Sequence, residues 1–457
     1  MNSKVKISAA LILLLAGGFV WLHHNPPELV RVGSNYSAKI VCSNVFLAGR
    51  DADEVMRVDV QSPGNPFLRL MKVSVDHERG IVRANILGFI GNGIAVYRPG
   101  TGCAVVPDGN IAKALQYQFA PVALPGHSTD TDWPQGSKAI RNDRVDQIIQ
   151  RDDLAGPHMR GIAVISHGKL IAQRYAPGFT QDTPLLGWSM TKTVNAALVG
   201  LQVGAGKLAL QQDHFWNNNG KSDGREQITL ADLLAMSSGL EFNENYGDVS
   251  DVTRMLYLEP DMSGFVHNKP LQHTPGSYWN YSTGTAKLLA KIWMQTVDHD
   301  ALSFPRTHLF APLGMSSAVI EADESGVLSG GSYMYATVHD WARFAQFLLQ
   351  NGAWDGQQLL PTGYVEMMHS PAPASRGKYG RGQTWLEGPD ARDTGDDANA
   401  DTPFNLPKDT YWMQGHDTQV IAIIPSLQLA VVRLGVTPAD LYFQPQALVA
   451  EIIKALR

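Results

Sequence analysis

WSMTKTVNAALVGLQVGAG, residues 188–206, is the stretch on which the reading of this chain turns. Val194, Ala197, Leu198 and Leu201 recur at i, i+3, i+4 and i+7, and Gly204 and Gly206 close the run. That spacing predicts a helix opened by Ser189. Residues three apart share a helix face, so the Lys192 amine comes within reach of the Ser189 hydroxyl. A serine hydroxyl is a weak nucleophile until a neighbouring base takes its proton, and a helix N-terminus favours the negative charge that attack creates. Ser-x-x-Lys also begins at Ser3, Ser166 and Ser375, but these fall in an apolar terminal segment, a hairpin turn and a Pro/Gly loop. Gly220-Lys221-Ser222-Asp223-Gly224 has G-x-S-x-G spacing yet follows a polar loop, where an elbow needs an apolar strand.

On the N-terminal side of the helix, Gly161–Ser166 and Lys169–Tyr175 flank His167-Gly168 and predict a hairpin. A second hairpin is predicted near the far end, from Gln419–Ile424, a turn at Pro425-Ser426 and Leu429–Leu434, with a terminal helix after it. Helical patterns fill the interval. Two of them open on Thr229 with Asp232 and on Thr337 with Asp340, where the threonine satisfies an orphan amide. The fold class expected is α/β (α+β): a mixed or antiparallel sheet built from both ends of residues 125–457, flanked by helices, with a helical subdomain. Ahead of it, residues 35–124 alternate as strands: Met71, Val73 and Val75, then Ile81–Leu87, then Ile94–Tyr97 after a turn at Gly91-Asn92-Gly93. A small β-rich domain is expected there, joined through a linker at 25–34.

The composition of the 457 residues is ordinary for a globular protein, with 44% hydrophobic and 18% charged residues. A net charge of −6 without a basic block gives no footprint for a nucleic-acid partner. Fourteen histidines are scattered without H-E-x-x-H or a clustered Cys/His set, so no metal site is expected. Lys4 and Lys6 precede an uncharged run from Ile7 to Leu22, and residues 1–24 read as a signal anchor or signal peptide, with an uncleaved anchor preferred. Export to the bacterial periplasm, with membrane attachment through this segment, is the expectation. The only two cysteines, Cys42 and Cys103, are expected to pair as a disulfide in that oxidising compartment.

Several ordered blocks between about residues 130 and 457 resemble the serine β-lactamase and penicillin-binding-protein superfamily, in its branch of class C β-lactamases, esterase relatives and 6-aminohexanoate-dimer hydrolases. Trp188-Ser-Met-Thr-Lys192 resembles its S-x-x-K. Leu233–Leu240 is similar to the block that follows, and Pro275-Gly-Ser-Tyr-Trp-Asn-Tyr-Ser-Thr283 resembles the segment of the second motif, whose tyrosine falls on Tyr281. Thr337–Arg343 resembles a further helix start. Gly415-His-Asp-Thr-Gln419 sits where the family places K-T-G or H-x-G. The resemblance implies a cofactor-free acyl-enzyme mechanism. Ser189 is the nucleophile, Lys192 the base and Tyr281 a proton relay, while Tyr278 falls at the wrong offset and belongs to packing or the rim. The oxyanion donors would be the backbone N–H of Ser189 and, on the edge strand, of Gln419, with His416 lining the pocket.

Two positions depart from the pattern: Thr283 stands for an asparagine and Thr418 for a glycine, whose side chain is expected to crowd the substrate strand. Both departures favour small ester or linear amide substrates over β-lactams. A D-alanyl-D-alanine carboxypeptidase, a weak β-lactamase and a catalytically silent envelope binding protein are the alternatives.

Overall fold

The computed structural model describes residues 17–457 except 19, 63, 125, 217–221, 298–299 and 391–398. Most of the apolar run assigned to an anchor lies outside the described residues. Among the described residues no helix is long and apolar enough to cross a membrane.

The first long element corrects the sequence reading. Residues 25–34 are not a linker: α1 spans Glu28–Ala48 and runs through the start of the supposed β domain. Strands β1 (Met71–Asp76), β2 (Ile81–Ile86), β3 (Ile90–Arg98) and β4 (Gly102–Val105) form an antiparallel meander against it. Gly91-Asn92-Gly93 is not the turn but part of β3. The reason is steric: a Cβ on Gly93 would lie 2.3 Å from the Ser34 backbone, so the glycine is where strand and helix touch. Cys42 on α1 and Cys103 on β4 form a disulfide.

This N-terminal unit keeps a small apolar cluster to itself, around Val96, Val106 and Ala114, but shares the larger one. Val41, Val55 and Val82 belong to the same apolar cluster as Leu198 and Leu289 of the following body. Polar contacts reinforce the junction. Lys39 is buried in an ion pair with Glu321, which also accepts from Ser43 Oγ (2.9 Å) and the Cys103 amide (2.6 Å). Arg98 donates to the carbonyls of Ala322 (2.5 Å) and Asp323 (3.0 Å). Burial lowers the Lys39 amine to about 8 even with Glu321 opposing the shift. Desolvation therefore offsets much of the attraction, and the pair fixes position more than it adds stability.

Residues Asp143–Ile149 form α2, followed by β5 (Met159–Ser166) and β6 (Lys169–Tyr175). The helical body then carries α3 (Thr191–Gly204), α4 (Thr283–Gln295) and α5 (Val338–Leu349). The chain closes with β7 (Tyr411–Gly415), β8 (Gln419–Ile424), β9 (Leu429–Gly435) and α6 (Gln446–Leu456). The main sheet has the order β7-β8-β9-β5-β6 with every pair antiparallel, so both ends of the body that follows the N-terminal unit build it. Period-two alternation divides its side chains. Ala163, Ile165, Ile421 and Val432 face α5 and the main core, while Ile162, Val164, Ala422 and Val431 face α2 and α6. The expected caps are present: Thr229 and Asp232 make a capping box, and Thr337 Oγ1 accepts from the Asp340 amide at 3.2 Å.

Candidate functional site

A short 3-10 turn, Trp188–Met190, carries Ser189 into α3. Trp188 adopts φ 48, a left-handed conformation costly for a bulky residue, and its carbonyl is held by Thr191 Oγ1 at 2.6 Å. Gly187 before it lies so close to Trp341 that a Cβ would come within 2.2 Å of the indole. The turn is thus fixed from both sides, and Ser189 remains partly open to solvent.

Lys192 is one turn on and 1% exposed. Its Nζ donates to Ser189 Oγ, Thr283 Oγ1 and the Gly331 carbonyl, each at 2.9 Å. Burial lowers this amine to about 8, while the carboxylate of Glu244 works in the opposite direction. An amine near that value is a competent base just above neutral pH. Tyr281 lies with its ring 4.7 Å from Lys192 Nζ and its phenol engaged with Ser189. Burial, then Glu244, raises that phenol above the usual range, so it stays protonated as a donor. Trp385 and Tyr379 hold the ring, at centroid distances of 5.2 and 5.9 Å.

Sequence reasoning missed Glu244. Its carboxylate accepts from the Thr283 amide (2.8 Å), the Thr283 hydroxyl and the Tyr246 phenol (3.1 Å). Burial raises its own pKa, and Lys192 opposes the rise. Thr283 therefore does not stand idle in place of an asparagine: its hydroxyl accepts from Lys192 and donates to Glu244. No motif spacing in the sequence marks Glu244.

The third region needs a second correction. Gln419 was expected on the edge strand, but the edge is β7, and Gln419 opens the next strand in, paired with Gly415. Trp412 exchanges both backbone bonds with Trp385 on the outer side, at 2.8 and 2.9 Å. By antiparallel alternation, Gly415 then faces β8 and the His416 N–H faces outward. A Cβ on Gly415 would come within 2.2 Å of the Gly187 carbonyl, so this strand end abuts the turn before Ser189. On this alternation it is the His416 N–H that faces away from β8, at the strand end that meets the turn before Ser189. The Gln419 side chain is spent inside the sheet, where its amide donates to the Gly435 carbonyl and accepts from the Gly435 amide (2.9 Å). Thr418, at φ 59, donates its hydroxyl to the Thr437 carbonyl (3.0 Å) in the connection between β7 and β8, so it does not lie on the substrate strand as expected.

His416 packs between Trp188 and Tyr246, with ring centroids at 5.5 and 5.3 Å. Tyr278 is half exposed and stacks on His273, as a rim residue would. The rival serines are occupied elsewhere: Ser166 Oγ meets His167 at 3.0 Å, and Ser375 Oγ donates to the Ala372 carbonyl at 2.8 Å. Among the described residues no group of three or more His, Cys, Asp or Glu is placed to hold a metal ion.

A family model described as Beta-lactamase matches residues 147–438. No curated protein matches significantly. Among solved structures, the chain is similar to a protein designated 6-aminohexanoate-dimer hydrolase from Bacillus anthracis. The TM-score is 0.56 at 17% identity, covering 74% of this chain and 90% of that one. It is also similar to a penicillin-binding-protein homolog from Caulobacter crescentus, with TM-score 0.54 and 14% identity over 70% and 99% of the two chains. A penicillin-binding protein from Bacillus halodurans gives 0.52 and 16%, over 68% and 100%. At these identities the structures speak for the fold.

Proposed function

Because this chain belongs to the beta-lactamase family, we propose that it is a serine hydrolase that cleaves ester or linear amide bonds through an acyl-enzyme on Ser189. The observation that carries the reading is the buried Lys192 amine, lowered to about 8 and 2.9 Å from Ser189 Oγ. Neutral Lys192 takes the hydroxyl proton as Ser189 Oγ bonds to the carbonyl carbon. The N–H groups of Ser189 and His416 receive the charge developing on the carbonyl oxygen. Tyr281 delivers a proton to the departing alcohol or amine and is reprotonated from Lys192. Water then attacks the acyl-enzyme through the same relay, releasing the acid and restoring Ser189. The residues in place complete this cycle without a cofactor.

Esters and linear amides are favoured over β-lactams because Thr283 presents a single hydroxyl, already shared between Lys192 and Glu244, where an asparagine amide would meet an acylamino group. Export is part of the proposal, supported by the Cys42–Cys103 disulfide.

Labelling with a fluorophosphonate tests the assignment. Wild-type protein should carry the label on Ser189, Ser189→Ala should carry none, and Lys192→Ala should react at least a hundredfold more slowly. Failure of the wild type to label, or attachment to another serine, would refute the nucleophile.

A further inference from the structure

Trp188, the residue before Ser189, lines a cavity of about 430 Å³, within the size range of small-molecule sites. One wall belongs to the catalytic body: Trp188, adjacent to Ser189 in the chain, with Tyr246 and His416. The opposite wall is made by the N-terminal unit, with Leu29 and Val32 from α1 and Phe67 from the segment before β1. The wall has a built shape. A Cβ on Gly33 would fall 2.5 Å from Phe67 Cζ, so this glycine lets the phenyl ring lie flat against α1. Leu29 stands 37% exposed at the opening, an apolar side chain beside the cavity. The Tyr246 phenol reaches Glu244 at 3.1 Å and Thr283 Oγ1 at 3.5 Å, so one side chain both lines the cavity and touches the groups around Lys192.

We infer that this cavity is the subsite for an uncharged apolar chain on the substrate, and that the N-terminal unit is a specificity element of the active site. The inference rests on the serine-hydrolase reading and names the substrate class within it: esters or amides carrying an alkyl or aryl group. Charge decides against an anionic tail. The acidic groups along the lining are Asp248 and Asp417, and neither a lysine nor an arginine is among the lining residues. A carboxylate on the chain would be repelled by both aspartates and stripped of water against Phe67 and Val32.

Two ester series on the full chain test this, one lengthening the acyl group of ethyl esters and the other lengthening the alcohol of acetate esters. In one series kcat/KM should climb about fourfold per methylene, reaching about two decades over four carbons, as apolar surface enters the cavity. The series that climbs identifies which side of the scissile bond occupies the site. Leu29→Trp, at an exposed position that folding tolerates, should flatten the climb, and a terminal carboxylate should abolish it. Flat profiles in both series, or a slope untouched by Leu29→Trp, would overturn the subsite. If even ethyl acetate is not hydrolysed, the hydrolase reading fails separately. Calorimetric binding of octyl acetate to Ser189→Ala then decides the cavity alone: affinity weakened by Leu29→Trp supports it, and absence of binding overturns it.

Discussion

Glu244→Gln isolates the charge that keeps a proton on the catalytic amine. Lys192 must be neutral to act, so activity should rise with pH through about 8, the value to which burial lowers it. Glu244 opposes that lowering, because an anion nearby stabilises the ammonium form. Thr283 Oγ1 bonds both groups, so the two charges are about 5 Å apart, two hydrogen-bond lengths. At an effective dielectric of about 20 the attraction is ~3 kcal/mol, equivalent to roughly two pH units. Replacing the carboxylate with an amide keeps an acceptor for the Thr283 amide but removes the charge. The acid limb should then fall from about 8 towards roughly 6, raising the neutral fraction at pH 6.5 from about 3% to about three quarters. The assay is kcat/KM for p-nitrophenyl butyrate between pH 5.5 and 9.5, with Glu244→Asp as the charge-conserving control. An acid limb that stays in place, or moves upward, would refute the coupling.

Tyr281→Phe should lower kcat by roughly 10²–10⁴ with little change in thermal stability, the scale of losing a positioned proton donor; a near-normal rate would mean Lys192 works alone. Nitrocefin should be turned over about two to four decades more slowly than in an enzyme with the full β-lactam contacts, given one to three kcal/mol per missing hydrogen bond, while p-nitrophenyl butyrate is hydrolysed readily. Efficient nitrocefin cleavage without esterase activity would reverse the substrate assignment. Reducing the Cys42–Cys103 bridge, 61 residues apart in sequence, should cost ~4 kcal/mol in the chain-entropy model, seen as a lower denaturation midpoint in dithiothreitol. An unchanged midpoint would show the bridge adds nothing. Lys39→Met leaves Glu321 buried without its cation and should cost about 3–5 kcal/mol in chemical denaturation; a loss below about 1 kcal/mol would place that pair among ordinary surface contacts.

What the sequence disclosed and what it hid divide along physical lines. Ser189 and Lys192 stand three apart on one helix, so local periodicity alone places their side chains together. The two hairpins were legible because turn residues interrupt strict alternation, and His167 and Gly168 indeed take positive φ. Helix α1 was hidden by its composition. Gly33, Ser34, Asn35, Ser37, Ser43 and Asn44 are poor helix formers, yet all are buried there. The serines return hydroxyls to the carbonyls of Val30, Gly33 and Lys39, and Asn44 donates to Ile40, so the helix absorbs its own polar groups while tertiary packing supplies the stability. Glu244 was illegible for another reason: it meets Thr283 across 39 residues through a loop, and nothing in local spacing records such an encounter. Gln419 was misplaced by one strand because the reading opened its last hairpin at Gln419 and held no strand at Tyr411–Gly415, which is the edge.

The Lys39–Glu321 pair also sets a clock on synthesis. The two residues are separated by 282 positions, which at about 5–20 residues per second takes the ribosome roughly 15–60 s to traverse. Throughout that interval α1 carries a lysine that no partner yet neutralises, and water must keep it. The N-terminal unit cannot bury that side chain against its partner until Glu321 arrives. The segment that brings Glu321 also brings Gly331, whose carbonyl steadies Lys192. Docking of the first unit and completion of the contacts around Lys192 therefore become one late event, and a nascent chain halted before residue 321 has neither.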